Sequence, residues 1–444
     1  MRLRFFKRIV YFSIISTLFY SNTIYAQLNQ VFDNVFNSIL RDALKLSEGG
    51  AAVHGSHFFE AADKATSVLT PALSSLIASN VSSFPLSSTV AGITFDFSTG
   101  MPVKITESLG PIFAETAQTL GKGKVNVGFN YTYLSLSKFR GLDTEEMRFT
   151  FTHQDVTNDG TLGESLNESD TIDLFLGMDI NASIFALSAT VGITDNFDIG
   201  VAIPVININL TGEAKAAINS HTFTVRDTAN HRFNDDGANP ELETRVPYDE
   251  TTSGFGDVTV RLKYNFLRGG GVDLAALMDL RLIPGDEEDF LSSGKANMRF
   301  SWIMSKKIGN FTPHLNFGYD RRPAFLDSDE FEFALGFDQK LAKGITFAAE
   351  ILGEFDLDKD EKIELFPGTT RIVDRDIAGQ VLGERQVDLS NIPEKDNDHT
   401  INAAFGFRAA PSERVIFLGN VLVRLNDGGL RSRVVPTFGL TVSL

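Results

Sequence analysis

The chain has 444 residues, with 57 acidic against 40 basic side chains, a formal net charge of −17 and no cysteine. So acidic a chain disfavours nucleic acid, whose phosphates need basic partners, and none is expected as a partner. The missing thiols exclude a disulfide framework and a lipid-modified N-terminal cysteine.

Residues 1–26 read as a secretory signal. Arg2, Arg4, Lys7 and Arg8 form a basic start, Ile9 to Tyr20 an apolar stretch, and Ile24-Tyr25-Ala26 a cleavage site before Gln27. The apolar stretch falls short of the about 20 residues a spanning helix needs, and no later run is long enough. A membrane protein of this sequence must therefore cross as a closed barrel.

Residues 27–86 form a separate helical unit. Val31, Phe32, Val35, Phe36, Ile39 and Leu40 recur at helical spacing, which predicts an amphipathic helix over about 28–46 ended by Gly49-Gly50. A second helix is expected over 61–79, with Pro71 marking a kink or restart. These helices can fill a barrel lumen as a plug or sit in the periplasm beneath it.

From Ser87 to Leu444 the period is 2, the signature of strands that meet an apolar medium on one face and a polar one on the other. Strands are predicted at 124–134, 146–153 and 171–193, with a return strand from Phe197. In 171–193 the apolar phase shifts, which implies a bulge near Ala182-Ser183. Further strands follow at 256–267, 272–283, 295–307, 311–320, 329–341, 345–357, 398–409, 415–425 and 433–444. A weaker strand at 87–98 makes the total even, as single-chain bacterial barrels require. Pro111 to Leu120 reads as helical and lies either outside or in the lumen. Connections alternate short and long, with 194–196 and 268–271 short and 211–255 and 358–397 long. Outer-membrane barrels sort their loops this way, and soluble sandwiches have no reason to. The expected fold is an all-β transmembrane barrel over 87–444, with about 14 antiparallel strands and 12 as the alternative. Its expected place is the outer membrane of a Gram-negative-type bacterium, in contact with lipid. A lumen of this size falls between barrels filled by their own side chains and open porins.

Three segments carry a family resemblance. One is Ser108-Leu109-Gly110-Pro111 through Ala114-Glu115 to Gly121-Lys122-Gly123-Lys124. The second is Val191-Gly192-Ile193-Thr194-Asp195-Asn196-Phe197 through Ile203-Pro204. The third is Gly254-Phe255-Gly256-Asp257-Val258 with Arg261-Leu262-Lys263-Tyr264 and Pro284-Gly285-Asp286-Glu287. The chain resembles the outer-membrane transporter-like barrels named for the MetA pathway of phenol degradation, which are similar to FadL-type channels. The resemblance implies passage of hydrophobic or amphipathic small molecules, aromatic or fatty-acid-like. No enzymatic activity and no cofactor are expected, since no Ser-His-Asp order, phosphate-binding glycine loop or cysteine nucleophile stands out in the sequence. FadL-type channels carry Asn-Pro-Ala near the mature N-terminus. Residues 27–81 lack it, so that gating is not carried over.

Parity assigns the channel-lining positions to Asp257, Arg261, Lys263, Asp279, Arg281, Asn297, Arg299, His314, Glu332 and Glu350. Opposite charges on neighbouring strands would satisfy one another and pin the register; a constriction or a docking face for a polar ligand head is the functional reading. Elsewhere, His54, His57 and Glu60 stand at three-residue spacing, but the glycines around them make a loop, and no metal is expected there. Asp356-Leu-Asp358-Lys-Asp360-Glu361 resembles a calcium loop lacking its glycine, leaving room for a loosely bound divalent cation on an outer loop. His221, His231, Asp235 and Asp236 read as loop residues rather than a rim catalyst, and no catalytic residue is assigned. The alternative function is a structural or interaction barrel whose long acidic loops bind a partner or surface.

Overall fold

The computed structural model describes residues 27–46, 57–82, 93–96, 101–104, 109–269, 271–322, 328–357, 365–412 and 415–442. The expected signal segment, Gly49-Gly50, His54, most of the 87–98 strand, and Asp358, Asp360 and Glu361 lie outside the described residues.

A closed barrel of 12 strands is accompanied by 4 further strands in two small sheets. The barrel strands are β1 (Lys124–Phe139), β2 (Thr171–Gly192), β3 (Phe197–Asn219), β4 (Glu243–Phe255, resuming as Val258–Leu267), β5 (Asp273–Leu282) and β6 (Asn297–Ser305). They continue with β7 (Phe311–Arg321), β8 (Glu330–Ala342), β9 (Ile345–Asp356), β10 (Thr400–Ser412), β11 (Val415–Arg424) and β12 (Val434–Val442). Each pairs antiparallel with the next. β12 closes on β1, with Phe438 opposite Tyr131. Short turns gather at one end of the barrel and long connections at the other, as the loop lengths predict.

The expected count of 14 strands is corrected to 12 for two reasons. Met147–Thr152, expected as a barrel strand of its own, pairs with the far end of β2, Met147 opposite Leu176, and so extends the wall above β1. Ile93–Asp96 pairs with Met101–Lys104 and reaches β1 only at Lys124 and Val125. The expected 211–255 loop is also shorter than read. β3 runs on to Asn219, and Glu243–Phe255 pairs back along it.

The bulge expected near Ala182-Ser183 is absent. β2 and β3 stay in continuous register from Thr171↔Asn219 to Gly192↔Asp198. What changes is the environment. From Phe185 to Val191 the outward residues Phe185, Leu187 and Val191 are apolar and exposed, while Ala186, Ser188 and Thr190 turn inward. From Ile184 back to Ile172 the same inward face is apolar: Ile172, Leu174, Leu176, Met178 and Ile180 are all buried. The outward positions there include Asp173, Asp179, Asn181 and Ser183. β3 switches at the same level, because Val205 lies opposite Phe185 and Ile206 opposite Ile184. β4 agrees, with Phe255 opposite Val205 and the polar Ser253, Thr251 and Asp249 beyond it. One side of this level suits lipid, the other water. Tyr131 and Tyr133 mark the boundary, their hydroxyls reaching Ser183 Oγ and Asn181 Oδ1 at 3.2 and 2.8 Å, as interfacial aromatics do.

The projecting wall has a core of its own. Helix α1 (Leu28–Asn37) runs on into a π-helical turn, Ser38–Ala43. A second helical stretch joins α2 (Phe59–Lys64) through a π-helical Ala65–Leu69 to α3 (Thr70–Ser82). The change of helical pitch falls just before Pro71, whose missing N–H cannot continue the preceding ladder. Leu28, Val31, Phe32, Val35, Phe36, Ile39, Leu73 and Ile77 are buried in one cluster with the inward faces of β2 and β3. Phe32 stacks on Phe290 at 6.4 Å, and Thr70 Oγ1 donates to Asp33 at 2.7 Å, linking the two helical stretches.

Candidate functional site

Below the helices, at the level where the outer face is apolar, the lumen is crossed by residues 109–122. They form no regular helix, contrary to the expectation for Pro111 to Leu120, and they lie inside the barrel. The segment Gly110-Pro-Ile-Phe-Ala-Glu-Thr-Ala is mostly apolar, so its backbone groups find partners among inward side chains, as buried amides must. The Glu350 carboxylate accepts the N–H groups of Ile112, Phe113 and Ala114 at 2.5, 2.9 and 3.0 Å. Ser305 Oγ accepts from Ala117 N at 3.1 Å, and Asp198 accepts from Leu120 N at 2.8 Å. Arg408 Nη1 donates to Leu109 O at 2.8 Å, Asn265 to Ala117 O at 2.6 Å and Asn316 to Glu115 O at 3.1 Å. Partners from β3, β4, β6, β7, β9 and β10 thus hold one strap.

Glu115, the strap's own charge, sits between Arg261 Nη1 at 2.7 Å and Lys263 Nζ at 3.1 Å. From there a ladder of charges climbs the inner wall. Arg261 also grips Asp279 with two bonds of 2.8 and 3.0 Å, and Asp279 accepts from Arg299 at 2.6 Å. Arg299 reaches Glu332 at 3.3 Å, Arg281 reaches Asp320 at 3.2 Å, and Arg322 reaches Glu330 at 2.7 Å. Strand register builds this ladder, since Arg261, Asp279 and Arg299 are direct cross-strand partners in turn. His314 stands 3.8 Å from Asp338 and 3.5 Å from Glu350.

Of the positions assigned from parity, Arg261 and Lys263 meet the strap through Glu115, and Glu350 meets it directly. Asp279, Arg281, Arg299 and Glu332 belong to the ladder, and His314 backs Glu350. Asn297 lies opposite Arg281 at the end of the ladder. Asp257 stands apart at the break in β4, accepting from Ser292 Oγ at 2.6 Å. Sequence reasoning missed the strap contacts of Glu115, Asp198 and Ser305. Glu115 carries a legible signal, because a lone carboxylate in an apolar stretch needs a cation when buried. Ser305 and Asp198 carry none, since their role depends on what enters the lumen.

Among the loop residues, the members of the rim set have different partners. His221 Nε2 lies 2.7 Å from Arg375 O, while Asp236 caps the turn at Ala238 and Asn239. Asp356 accepts from Asp398 N at 2.6 Å.

Small cavities remain between these parts. One of about 70 Å³ lies among Phe113, Glu115, Leu277, Asn316 and Glu332. Another of about 310 Å³ opens near the long-loop rim, among Ala61, Phe151, Leu162, Phe366 and Leu389 with Thr150, Thr152 and Lys64.

Barrel closure, an apolar outer band and loops sorted by end define a transmembrane β-barrel of the outer-membrane type. The likeness read from the motifs holds: residues 148–323 match the family described as putative MetA-pathway of phenol degradation. No curated protein matches the chain. Among solved structures, an outer membrane channel from Pseudomonas putida F1 is similar at TM-score 0.40 and 11% identity, over 73% of this chain and 97% of that one. A FadL homologue from Pseudomonas aeruginosa gives TM-score 0.31 and 9% identity over 71% and 89%. The CymD monoaromatic hydrocarbon channel gives 0.28 and 7% over 73% and 89%. These are distant likenesses of barrel outline.

Proposed function

We propose that the protein passes hydrophobic or amphipathic small molecules, aromatic or fatty-acid-like, across the outer membrane, with the long-loop end facing outward after a signal over 1–26 is removed. The observation that carries this reading is the two-level lumen: an apolar level filled by the helices and, below it, a charged, strapped floor. The walls of the apolar level, Ile172, Leu174, Leu176, Ile206, Ile208 and Leu210, are packed against those helices, so an apolar solute gains burial against them only when the helices move aside. Residues 27–86 act as the plug of that chamber. Ionic solutes are disfavoured there, while an amphipathic one could place its head against the Arg261 and Arg299 end of the ladder. The 109–122 strap closes the floor, so passage requires that it yield.

Liposome swelling by the mature protein tests this, comparing small sugars with phenol-like and fatty-acid solutes. Uptake biased toward apolar solutes, and loss of that bias on deleting residues 27–81 from a barrel that still resists heat unfolding, is the expected result. No uptake by any folded form would overturn it.

The second reading is an interaction barrel. It draws on the hairpin Thr369–Arg375 and Val381–Asp388 in the 357–399 connection, whose tip exposes Ile377, Val381 and Leu382. A folded barrel that admits nothing, yet loses binding to a cell surface when that tip is made polar, would favour it.

A further inference from the structure

Three histidines far apart in sequence meet at the long-loop end, on the seam between the helices and the wall. His57 lies in the turn before α2, His153 follows Met147–Thr152, and His231 sits in the 220–242 connection. They are 3%, 2% and 0% exposed. His57 Nδ1 is 3.0 Å from His231 Nε2 and 3.2 Å from His153 Nε2, and one nitrogen from each ring falls within 4.8 Å of the others. A tetrahedral ion with bonds of 2.0–2.1 Å separates its nitrogen ligands by roughly 3.3 Å. The rings are therefore nearly at the spacing of three ligands on one ion.

The outer nitrogens decide which inner ones can ligate. His231 Nδ1 lies 2.7 Å from Oδ2 of Asp170, a carboxylate that is itself fully buried. His153 Nδ1 lies 2.8 Å from Gln154 O. Each of these outer nitrogens donates to an oxygen, which leaves the Nε2 lone pair of both rings aimed at the cluster. A carboxylate or carbonyl behind an imidazole is the arrangement that orients metal-bound histidine.

The backbone fixes the three segments independently of the rings. Gln154 N donates to His57 O at 2.8 Å, and Lys45-Leu46 pairs with His231-Arg232, Leu46 opposite His231. His57 itself holds a left-handed backbone, φ 52°, a conformation that costs a non-glycine residue energy and gathers at functional positions. Phe58 sets its edge against His153 and His231 at 5.5 and 5.2 Å, excluding water from one side.

We propose that His57, His153 and His231 bind one divalent transition-metal ion, zinc being the fitting ordinary choice, with Asp170 as the positioning residue behind His231. Three imidazoles suit zinc, copper or nickel; calcium and magnesium, which take oxygen ligands, do not fit. The ion would staple the helices to the wall, because His57 belongs to the helical segment and the other two ligands belong to the barrel's connections. This site stands whatever the barrel passes.

The test uses the full mature chain, free of any histidine tag, stripped with a chelator in detergent and titrated with Zn²⁺ or Co²⁺. One ion per chain is expected, with the intense visible bands of nitrogen-rich, low-coordinate Co²⁺. Asp170→Asn should weaken binding about 10–100-fold. His153→Ala and His231→Ala should weaken it further, and His399→Ala, outside the cluster with its Nδ1 accepting from Asp356 N at 3.1 Å, should leave it unchanged. Chelation should raise amide exchange across Phe59–Ser82. The proposal is overturned if folded wild type takes up no stoichiometric ion, or if His153→Ala binds as wild type does. Should the alanine variants fail to fold, the wild-type titration and cobalt spectrum decide alone.

Discussion

At the residue scale, the lumen is shaped as much by missing side chains as by charged ones. Gly336 is the cross-strand partner of both His314 and Glu350. A Cβ there would come within 2.6 Å of Glu350 Cγ and 2.5 Å of Ala349 O. The bare position lets His314 approach Glu350 across β8, and Glu350 in turn holds the strap. Gly336→Ala should therefore cost about 1–3 kcal/mol by overpacking, read as a lower denaturant midpoint in lipid vesicles; an unchanged midpoint would show that the ring of contacts is slack. Tyr248, in the wall beyond the apolar outer band, gives a pH-dependent case. Its hydroxyl donates to Gly177 O at 2.6 Å, and burial pushes its pKa above the ordinary tyrosine value. A raised phenol favours folding fully at pH below about 10, and that contribution fades as pH climbs beyond it. In an alkaline titration by phenolate absorbance, wild type and Tyr248→Phe should match while folded and differ by one tyrosine once unfolded. A difference in the folded curves at moderately alkaline pH would contradict this.

At the scale of elements, the strap is the part most exposed to test. Glu350→Ala removes the acceptor of three backbone N–H groups, each charge-assisted bond contributing about 1.5–3 kcal/mol, and combining it with Glu115→Ala frees a second of its anchors. The double variant should keep its barrel, raise single-channel conductance severalfold, and become cleavable by protease within 109–122. Wild-type conductance in a folded double variant would mean that the strap does not obstruct the lumen. The strap also shows where sequence reading stops. Strands were legible because lipid and lumen impose a period of two on every barrel strand, and the inward charges Arg261, Asp279, Arg299 and Glu350 follow from parity alone. A segment inside a lumen obeys no period, since its partners come from six different strands. Hence 109–122 could be suspected inside but not placed. The phase shift in β2 was visible but misassigned. Period 2 reports which face is apolar, not what that face meets, and a bulge and a change of solvent write the same pattern. Met147–Thr152 alternates like any strand, so only pairing reveals that it heightens the wall.

At the scale of the whole molecule, the chain is two proteins in one barrel. Within the bilayer it is inside-out, with apolar residues such as Leu187, Ile199, Leu335 and Phe405 outside and charges within. Beyond Phe185, Val205 and Phe255 it has the ordinary order of a water-soluble protein, with the helices as its core. β2 has roughly twice the 9–11 residues a tilted strand needs to cross, and the excess makes the chamber wall. If this division is right, equal substitutions one storey apart must behave unequally. Leu187→Arg should cost about 2–4 kcal/mol, as charges facing the hydrocarbon do, while Phe175→Arg, exposed on the same outward face of β2, should cost little. The absence of native cysteine allows a direct map. In intact vesicles, Asp179→Cys and Glu213→Cys should react with a charged, water-soluble maleimide, and Leu187→Cys and Ile199→Cys should not. Both outward faces are sterically open, so lipid alone separates the two pairs. Equal labelling at Asp179 and Leu187 would mean that the barrel sits elsewhere in the membrane, and the apolar chamber would then lie at lipid depth instead of above it.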